Sequence, residues 1–171
     1  RATGGASTSS PSRGRGRRSD SPGLNELQEP EPTVENRPLN MLLVEDDELD
    51  VMNVQRAFKK NNVVNPLHVA SNGIEALEML RGDGIPKDRR LILLDLNMPR
   101  MGGIEFLKEL RADPELKATT VVVLTTSDEE RDKVNAYDLN VAGYILKPVT
   151  LAAFIEIMAT LNKYWSVNEL P

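Results

Sequence analysis

The sequence predicts a doubly wound α/β domain: a five-stranded parallel sheet with helices on both faces, a three-layer sandwich. Three observations predict it. Short apolar runs alternate with segments of helical spacing along the chain from residue 39. The runs are strand-length and unbroken, as strands buried on both faces are. They alternate strictly with the helical segments, which implies βαβ units with right-handed crossovers.

The first strand is expected over 41–44, followed by a helix whose Val51, Val54, Gln55 and Phe58 share one face. The second strand is expected over 67–70 and contains the single histidine, His68, read as packing rather than as a ligand. Asn72 is placed to cap the next helix, with Ile74, Leu77 and Leu80 inward. The third strand, 91–94, precedes a helix with Ile104, Leu107 and Leu110 on one face. After the fourth strand, 121–124, Ser127 is a good N-cap, and Glu130 stands three residues on as in a capping box. This places the start of that helix near Asp128. The fifth strand, 142–146, leads to a helix capped by Thr150, with Leu151, Phe154, Ile155 and Met158 facing the core. A second apolar set, Ile157, Leu161 and Tyr164, lies on another side of that helix.

Composition divides the chain. Residues 1–38 are rich in Gly, Ser, Pro, Thr and Arg and hold almost no large apolar side chains. Such a segment buries too little surface to offset its ordering entropy and is expected to be a disordered tail or linker. Its arginines, Arg13, Arg15, Arg17 and Arg18, precede the acids Glu26, Glu29, Glu31 and Glu35. That cluster reads as a solvated tail, with an electrostatic docking arm as the alternative. The folded domain is expected over 39–165, with 166–171 a C-terminal extension.

With 171 residues there is core enough for one domain. A net charge of -5 and a pI near 5.0 argue against nucleic acid as a partner. The absence of Cys excludes disulfides, thiolate metal sites and Cys nucleophiles, and one histidine excludes any site needing two. No apolar run is long enough to cross a membrane, and no signal-peptide pattern is visible. The expectation is a cytoplasmic domain whose chemistry rests on carboxylates, hydroxyls and lysine.

In an open parallel sheet, function belongs beyond the carboxyl ends of the strands. There the chain places Glu45, Asp46 and Asp47 after the first strand and Asp95 after the third. Thr125 and Thr126 follow the fourth strand, and Lys147 and Pro148 the fifth. Converging carboxylates repel, so some must protonate or bind a cation. All-oxygen ligands suit a hard ion such as Mg2+. A carboxylate can also act as a nucleophile toward phosphorus, with metal, lysine and hydroxyl neutralising the phosphoryl oxygens. Each residue alone has a plainer reading as cap, turn or solvated side chain; their coincidence at four strand ends favours a site.

These segments resemble a family. Leu42-Leu43-Val44-Glu45-Asp46-Asp47, Leu93-Leu94-Asp95-Leu96-Asn97-Met98-Pro99, Val123-Leu124-Thr125-Thr126-Ser127 and Tyr144-Ile145-Leu146-Lys147-Pro148 look like those of bacterial response-regulator receiver domains, over roughly 39–165. The spacings, 30 residues from Asp95 to Thr125 and 22 from Thr125 to Lys147, also fit. The resemblance implies that Asp95 is the phosphoacceptor. It implies that Glu45, Asp46, Asp95 and the backbone carbonyl of Asn97 hold Mg2+. Thr125 and Lys147 would bind the phosphoryl group, and Tyr144 would be the rotating aromatic of the switch. Pro148 would follow a cis peptide that aims Lys147 inward, and Gly103 would open the third helix. Gly102 stands where many members are polar, and extra length falls within 81–90. Residues 136–140, the long second loop, Tyr164-Trp165 and Glu169-Leu170-Pro171 look like the small regulators paired with bacterial phytochromes.

The resemblance makes the chain a single-domain regulator of a two-component phosphorelay rather than an enzyme, its only turnover its own phosphorylation and dephosphorylation. A histidine kinase, by the narrower likeness a bacteriophytochrome, would supply the phosphoryl group. Output would be protein–protein interaction, with a homodimer expected through the fourth-helix, fifth-strand and fifth-helix face. The rival is an Mg2+-dependent phosphohydrolase with an aspartyl nucleophile. Such enzymes usually place a second acid two residues after the nucleophile, and Asn97 there cannot exchange a proton in that way.

Overall fold

The structure, a computed structural model, describes residues 4–10 and 37–171. Most of the expected disordered tail, with its basic and acidic clusters, lies outside the described residues. Residues 4–10 are exposed and form no helix or strand. The remainder alternates β1 (Asn40–Val44), α1 (Glu48–Lys60), β2 (Leu67–Ala70), α2 (Gly73–Arg81), β3 (Arg90–Leu94), α3 (Gly103–Ala112), β4 (Thr120–Thr125), α4 (Glu130–Asp138), β5 (Gly143–Leu146) and α5 (Leu151–Ser166). The strands form one parallel sheet in the order β2-β1-β3-β4-β5. The strand order reverses between β1 and β3, and in such sheets that is where ligands bind.

The two faces of the sheet carry separate cores, because alternate strand residues point to opposite sides. Met41 and Leu43 join Val54, Ala57 and Phe58 of α1 and Phe154, Met158, Leu161 and Trp165 of α5. Leu42 and Val44 join Leu77 and Leu80 of α2, Phe106, Leu107 and Leu110 of α3, and Ala136 of α4. β1, β3 and nearly all of β4 are buried along their whole length, as their unbroken apolar runs require.

Helix ends follow the capping chemistry with one correction. Asn72 accepts from the Glu75 N–H at 3.0 Å and Thr150 from the Ala153 N–H at 3.2 Å. Ser127 does not cap α4, which begins at Glu130 behind Glu129. Ser127 stays with the end of β4 because its own N–H donates to Thr125 Oγ1 at 3.3 Å. Its hydroxyl donates to Asp132 Oδ2 at 2.6 Å instead. The helical faces also shift slightly: Gln55, Ile74 and Leu151 are exposed, while Ala57 in α1, Ala76 in α2 and Phe106 in α3 are core residues. Leu, Val and Ile at the edge of an apolar stripe need not be covered.

The added length before β3 is organised by Arg90. Its guanidinium donates to the carbonyls of Pro86, Leu80 and Ile85 at 2.7, 3.1 and 2.6 Å, which ties the loop to the end of α2. The neighbouring Arg89 is fully buried and donates to the Asn168 carbonyl at 3.0 Å, while its N–H reaches the Pro171 carbonyl. The C-terminal residues therefore dock beneath the sheet, at the end opposite the acidic rim.

Gly103 is fixed by close approach rather than by φ. A Cβ there would stand 2.6 Å from the Asp95 carbonyl oxygen and 2.7 Å from Leu96 Cα, both backbone atoms. At Gly102 the nearest atom would be 3.5 Å away, an ordinary contact. Gly103→Ala is accordingly expected to lose about 1–3 kcal/mol in denaturant unfolding, the range for overpacking against atoms that cannot yield. Gly102→Ala is expected to lose under about 1 kcal/mol. Equal losses at the two positions would contradict this packing account.

Candidate functional site

Each rim residue is placed by the parallel ladder, which continues one hydrogen bond beyond the strands. The Glu45 N–H donates to Ala70 O and the Asp95 N–H to Val44 O, both at 3.0 Å. The Lys147 N–H donates to Thr125 O at 2.8 Å. β1, β3, β4 and β5 thereby end level, and Glu45, Asp95, Thr125 and Lys147 meet on one rim. Glu45, Asp95 and Thr125 are buried there, whereas Asp46 is exposed.

Among the described residues, Glu45, Asp46 and Asp95 bring carboxylate oxygens within 4.8 Å of one another. Lys147 reaches in from the opposite side. Its Nζ donates to Glu45 Oε2 at 2.6 Å and to Asp50 Oδ2 at 2.7 Å. It stands 3.6 Å from Asp95 Oδ1, a buried oxygen that accepts no hydrogen bond.

One ammonium does not balance this charge. Two unit charges about 4 Å apart at an effective dielectric near 20 interact by roughly 4 kcal/mol, so each carboxylate pair is a substantial repulsion. Protonation is one relief. Burial pushes Glu45 up to about 7, against the opposing pull of Lys147 and the Asp47 N–H. Burial also raises Asp95, opposed by the Lys147 charge, the Thr125 hydroxyl and the Asn97 N–H. At Lys147 burial disfavours the ammonium, but Asp50, Glu45 and Asp95 outweigh it and hold its pKa above the ordinary lysine value. A cation is the other relief. An all-oxygen donor set and an orphaned buried carboxylate oxygen together fit a hard divalent ion.

The switch residues are linked through one residue. Thr125 Oγ1 accepts from the Ser127 N–H, and the Tyr144 hydroxyl donates to the Ser127 carbonyl at 2.9 Å. Tyr144 is half-buried and packs against the α2–α3–α4 core. The expectation at Pro148 needs correction: among the described residues no peptide bond is cis. Lys147 is aimed inward from a trans bond, by its backbone tie to Thr125 and its two short ion pairs. Asn97 is exposed beside Asp95, and Gly103 packs on the Asp95 carbonyl.

Two acids stand outside the trio: Asp47 takes its plainer reading as a cap, and Asp50 is not at a strand end at all. Asp47 is the N-cap of α1, accepting from the Leu49 and Asp50 N–H groups. Asp50, in the first turn of that helix, is the second partner of Lys147. The acidic run from Glu45 to Asp50 was the available signal, but only the fold shows that Asp50 faces β5 while Asp47 and Glu48 face solvent.

The Glu45 shift has a stability consequence. Its folded-state pKa lies above its unfolded value, so the folded chain binds an extra proton between roughly pH 4.5 and 7. Stability from this group is therefore present below that window and lost as pH rises through it. In chelator, the thermal midpoint of the chain should fall from about pH 5 to about pH 8, and Glu45→Gln should flatten the slope. An unchanged slope in the variant would remove Glu45 as its source.

Comparison with known proteins agrees with the geometry. Residues 41–159 match the response regulator receiver domain. Response regulator Rcp1 of Synechocystis sp. is 35% identical over 133 residues, 76% of this chain and 90% of that protein. The crystal structure of the phosphorylated cyanobacterial phytochrome response regulator RcpA aligns with a TM-score of 0.71 at 37% identity, covering 79% of this chain and 99% of that one. The Mn(2+)-bound form of response regulator Rcp1 aligns with a TM-score of 0.69 at 35% identity, covering 78% and 99%. The narrower likeness to phytochrome-associated regulators is thus borne out. An acidic trio, a hydroxyl and a lysine brought level by a 2-1-3-4-5 sheet, together with a match spanning most of the folded residues, identify this chain as a member of the response regulator receiver domain family.

Proposed function

We propose that Asp95 is the residue that accepts the phosphoryl group, with Mg2+ held by Glu45, Asp46, Asp95 and the backbone carbonyl of Asn97. The observation that carries this reading is the Asp95 Oδ1 atom. It is buried, has no hydrogen-bond partner, and lies 3.6 Å from the Lys147 ammonium. A carboxylate oxygen of Asp95 attacks phosphorus, the P–N bond to a donor imidazole breaks, and the leaving nitrogen takes a proton. An acyl phosphate remains on Asp95. A divalent cation held by Glu45, Asp46, Asp95 and the Asn97 carbonyl would supply positive charge for the phosphoryl oxygens. Lys147 pairs with one oxygen, and the Thr125 hydroxyl donates to another.

Movement of Thr125 toward the phosphoryl group releases the Ser127 N–H that its Oγ1 accepts. Ser127 also holds the Tyr144 hydroxyl and Asp132 of α4, so the change passes to the face of α4, β5 and α5. That face exposes Val134, Tyr137, Leu146 and Tyr164. It also carries an apolar groove of about 560 Å³ between β5 and α5, lined by Ile145, Ile157, Leu161 and Tyr164. A second copy of the chain is the occupant we assign to it, since two-fold association is the commonest way to cover such a surface.

In this reading the phosphoryl donor is a histidine kinase of the bacteriophytochrome kind, in the cytoplasm. The receiver occupies 39–165, with 1–38 a tail and 166–171 an extension. Turnover is confined to the chain's own phosphorylation and hydrolysis of its own acyl phosphate. The phosphohydrolase alternative gains nothing, because Asn97 stands where its acid would be needed.

With acetyl phosphate and Mg2+, the chain should take up one phosphoryl group per molecule and Asp95→Asn none, read by intact mass. Equal uptake by the variant would place the acceptor elsewhere. In sedimentation at about 100 micromolar, where a weak interface is already populated, a beryllofluoride mimic with Mg2+ should shift the chain toward dimer. A monomer in both states would contradict the second-copy assignment.

A further inference from the structure

Lys147 has two anchors, and only one of them belongs to the acidic trio. Glu45 lies among the candidate cation ligands, whereas Asp50 does not. Asp50 comes from the first turn of α1, and its backbone N–H is held by the Asp47 cap. Its carboxylate meets the lysine across 97 residues of sequence at 2.7 Å. The Lys147 side chain is only 8% exposed and that of Asp50 28% exposed, so the pair is largely shielded from solvent.

An ammonium has three N–H donors in fixed tetrahedral directions. Two are taken by Glu45 Oε2 and Asp50 Oδ2. The third is left for Asp95, whose Oδ1 stands 3.6 Å away and accepts nothing. A cation held by Glu45 would weaken the first anchor. Asp50 is then the carboxylate that keeps the ammonium on the rim with its free donor directed at Asp95.

We propose that Asp50 is a positioning residue for phosphoryl transfer: its ion pair with Lys147 fixes the ammonium so that the remaining N–H meets the phosphoryl group arriving at Asp95. This rests on Asp95 as the acceptor. Asp50 touches no reacting atom and acts only through Lys147. Asp50→Asn retains shape and an acceptor oxygen but loses the charge, and Asp50→Ala loses both.

The test is a double-mutant cycle on the rate of labelling by acetyl phosphate at saturating Mg2+, with Mg2+ affinity measured by calorimetry on the same proteins. Asp50→Ala is expected to slow labelling about tenfold and Asp50→Asn by less, while Mg2+ affinity stays within about twofold. In a Lys147→Ala background, Asp50→Ala should slow labelling no further. Three results would overturn the inference: labelling by Asp50→Ala as fast as the parent or faster, an equal slowing in the Lys147→Ala background, or a large loss of Mg2+ affinity. Both single variants carry the measurement, so a folding defect in Asp50→Ala leaves Asp50→Asn to decide it. Absence of labelling in the parent chain would overturn the acceptor reading itself, and this inference with it.

Discussion

The ammonium of Lys147 is the interaction on which the rim depends. It enters from the end of β5 and meets carboxylates at the end of β1, in the first turn of α1 and at the end of β3. Taking such charges out of water costs several kcal/mol per ion, and mutual attraction offsets this only where geometry is good. Here two contacts are short and the third is not, so the balance is incomplete by construction of the site. Glu45 answers by holding its proton to about 7 and Asp95 by an orphaned oxygen. Such an imbalance of carboxylates is of the kind that a hard divalent cation relieves.

The fold supplies what the interaction needs. Parallel strands that end level put side chains from distant segments within a few ångströms, and the ladder bonds beyond each strand fix them there. The α1 and α5 layer packs Val54, Ala57 and Phe58 against Phe154, Met158 and Trp165, which holds the first turn of α1 at the height of β5. Gly103 lets α3 start directly against the Asp95 carbonyl. The C-terminal residues, bound to Arg89 at the other end of the sheet, stabilise α5 without touching the rim.

Much of this was legible in the residues. Unbroken apolar runs such as Leu91 to Leu94 identified buried parallel strands, and strand-end position singled out Glu45, Asp95, Thr125 and Lys147. Asn72 and Thr150 were readable as caps because a cap is a local property of the chain. What escaped was tertiary. Ser127 is drawn back to Thr125 rather than forward to α4, and no local pattern records that competition. Asp50 lies inside the first turn of α1 rather than at a strand end, so only the placement of β5 beside it marks it as a partner of Lys147. The bond before Pro148 is trans, the ordinary isomer, and the Lys-Pro dipeptide alone carries no signal that decides between the two.

The central claim is that Lys147 is a buried, hydrogen-bonded ammonium held by Glu45 and Asp50 and poised toward Asp95. Nitrogen-15 NMR of the lysine side chains, in the metal-free chain and after adding Mg2+, tests it most directly. The account predicts one Nζ resonance with slow solvent exchange, lost in Lys147→Arg, that persists and shifts when Mg2+ binds. An ammonium at Lys147 that exchanges as fast as the surface lysines would contradict it.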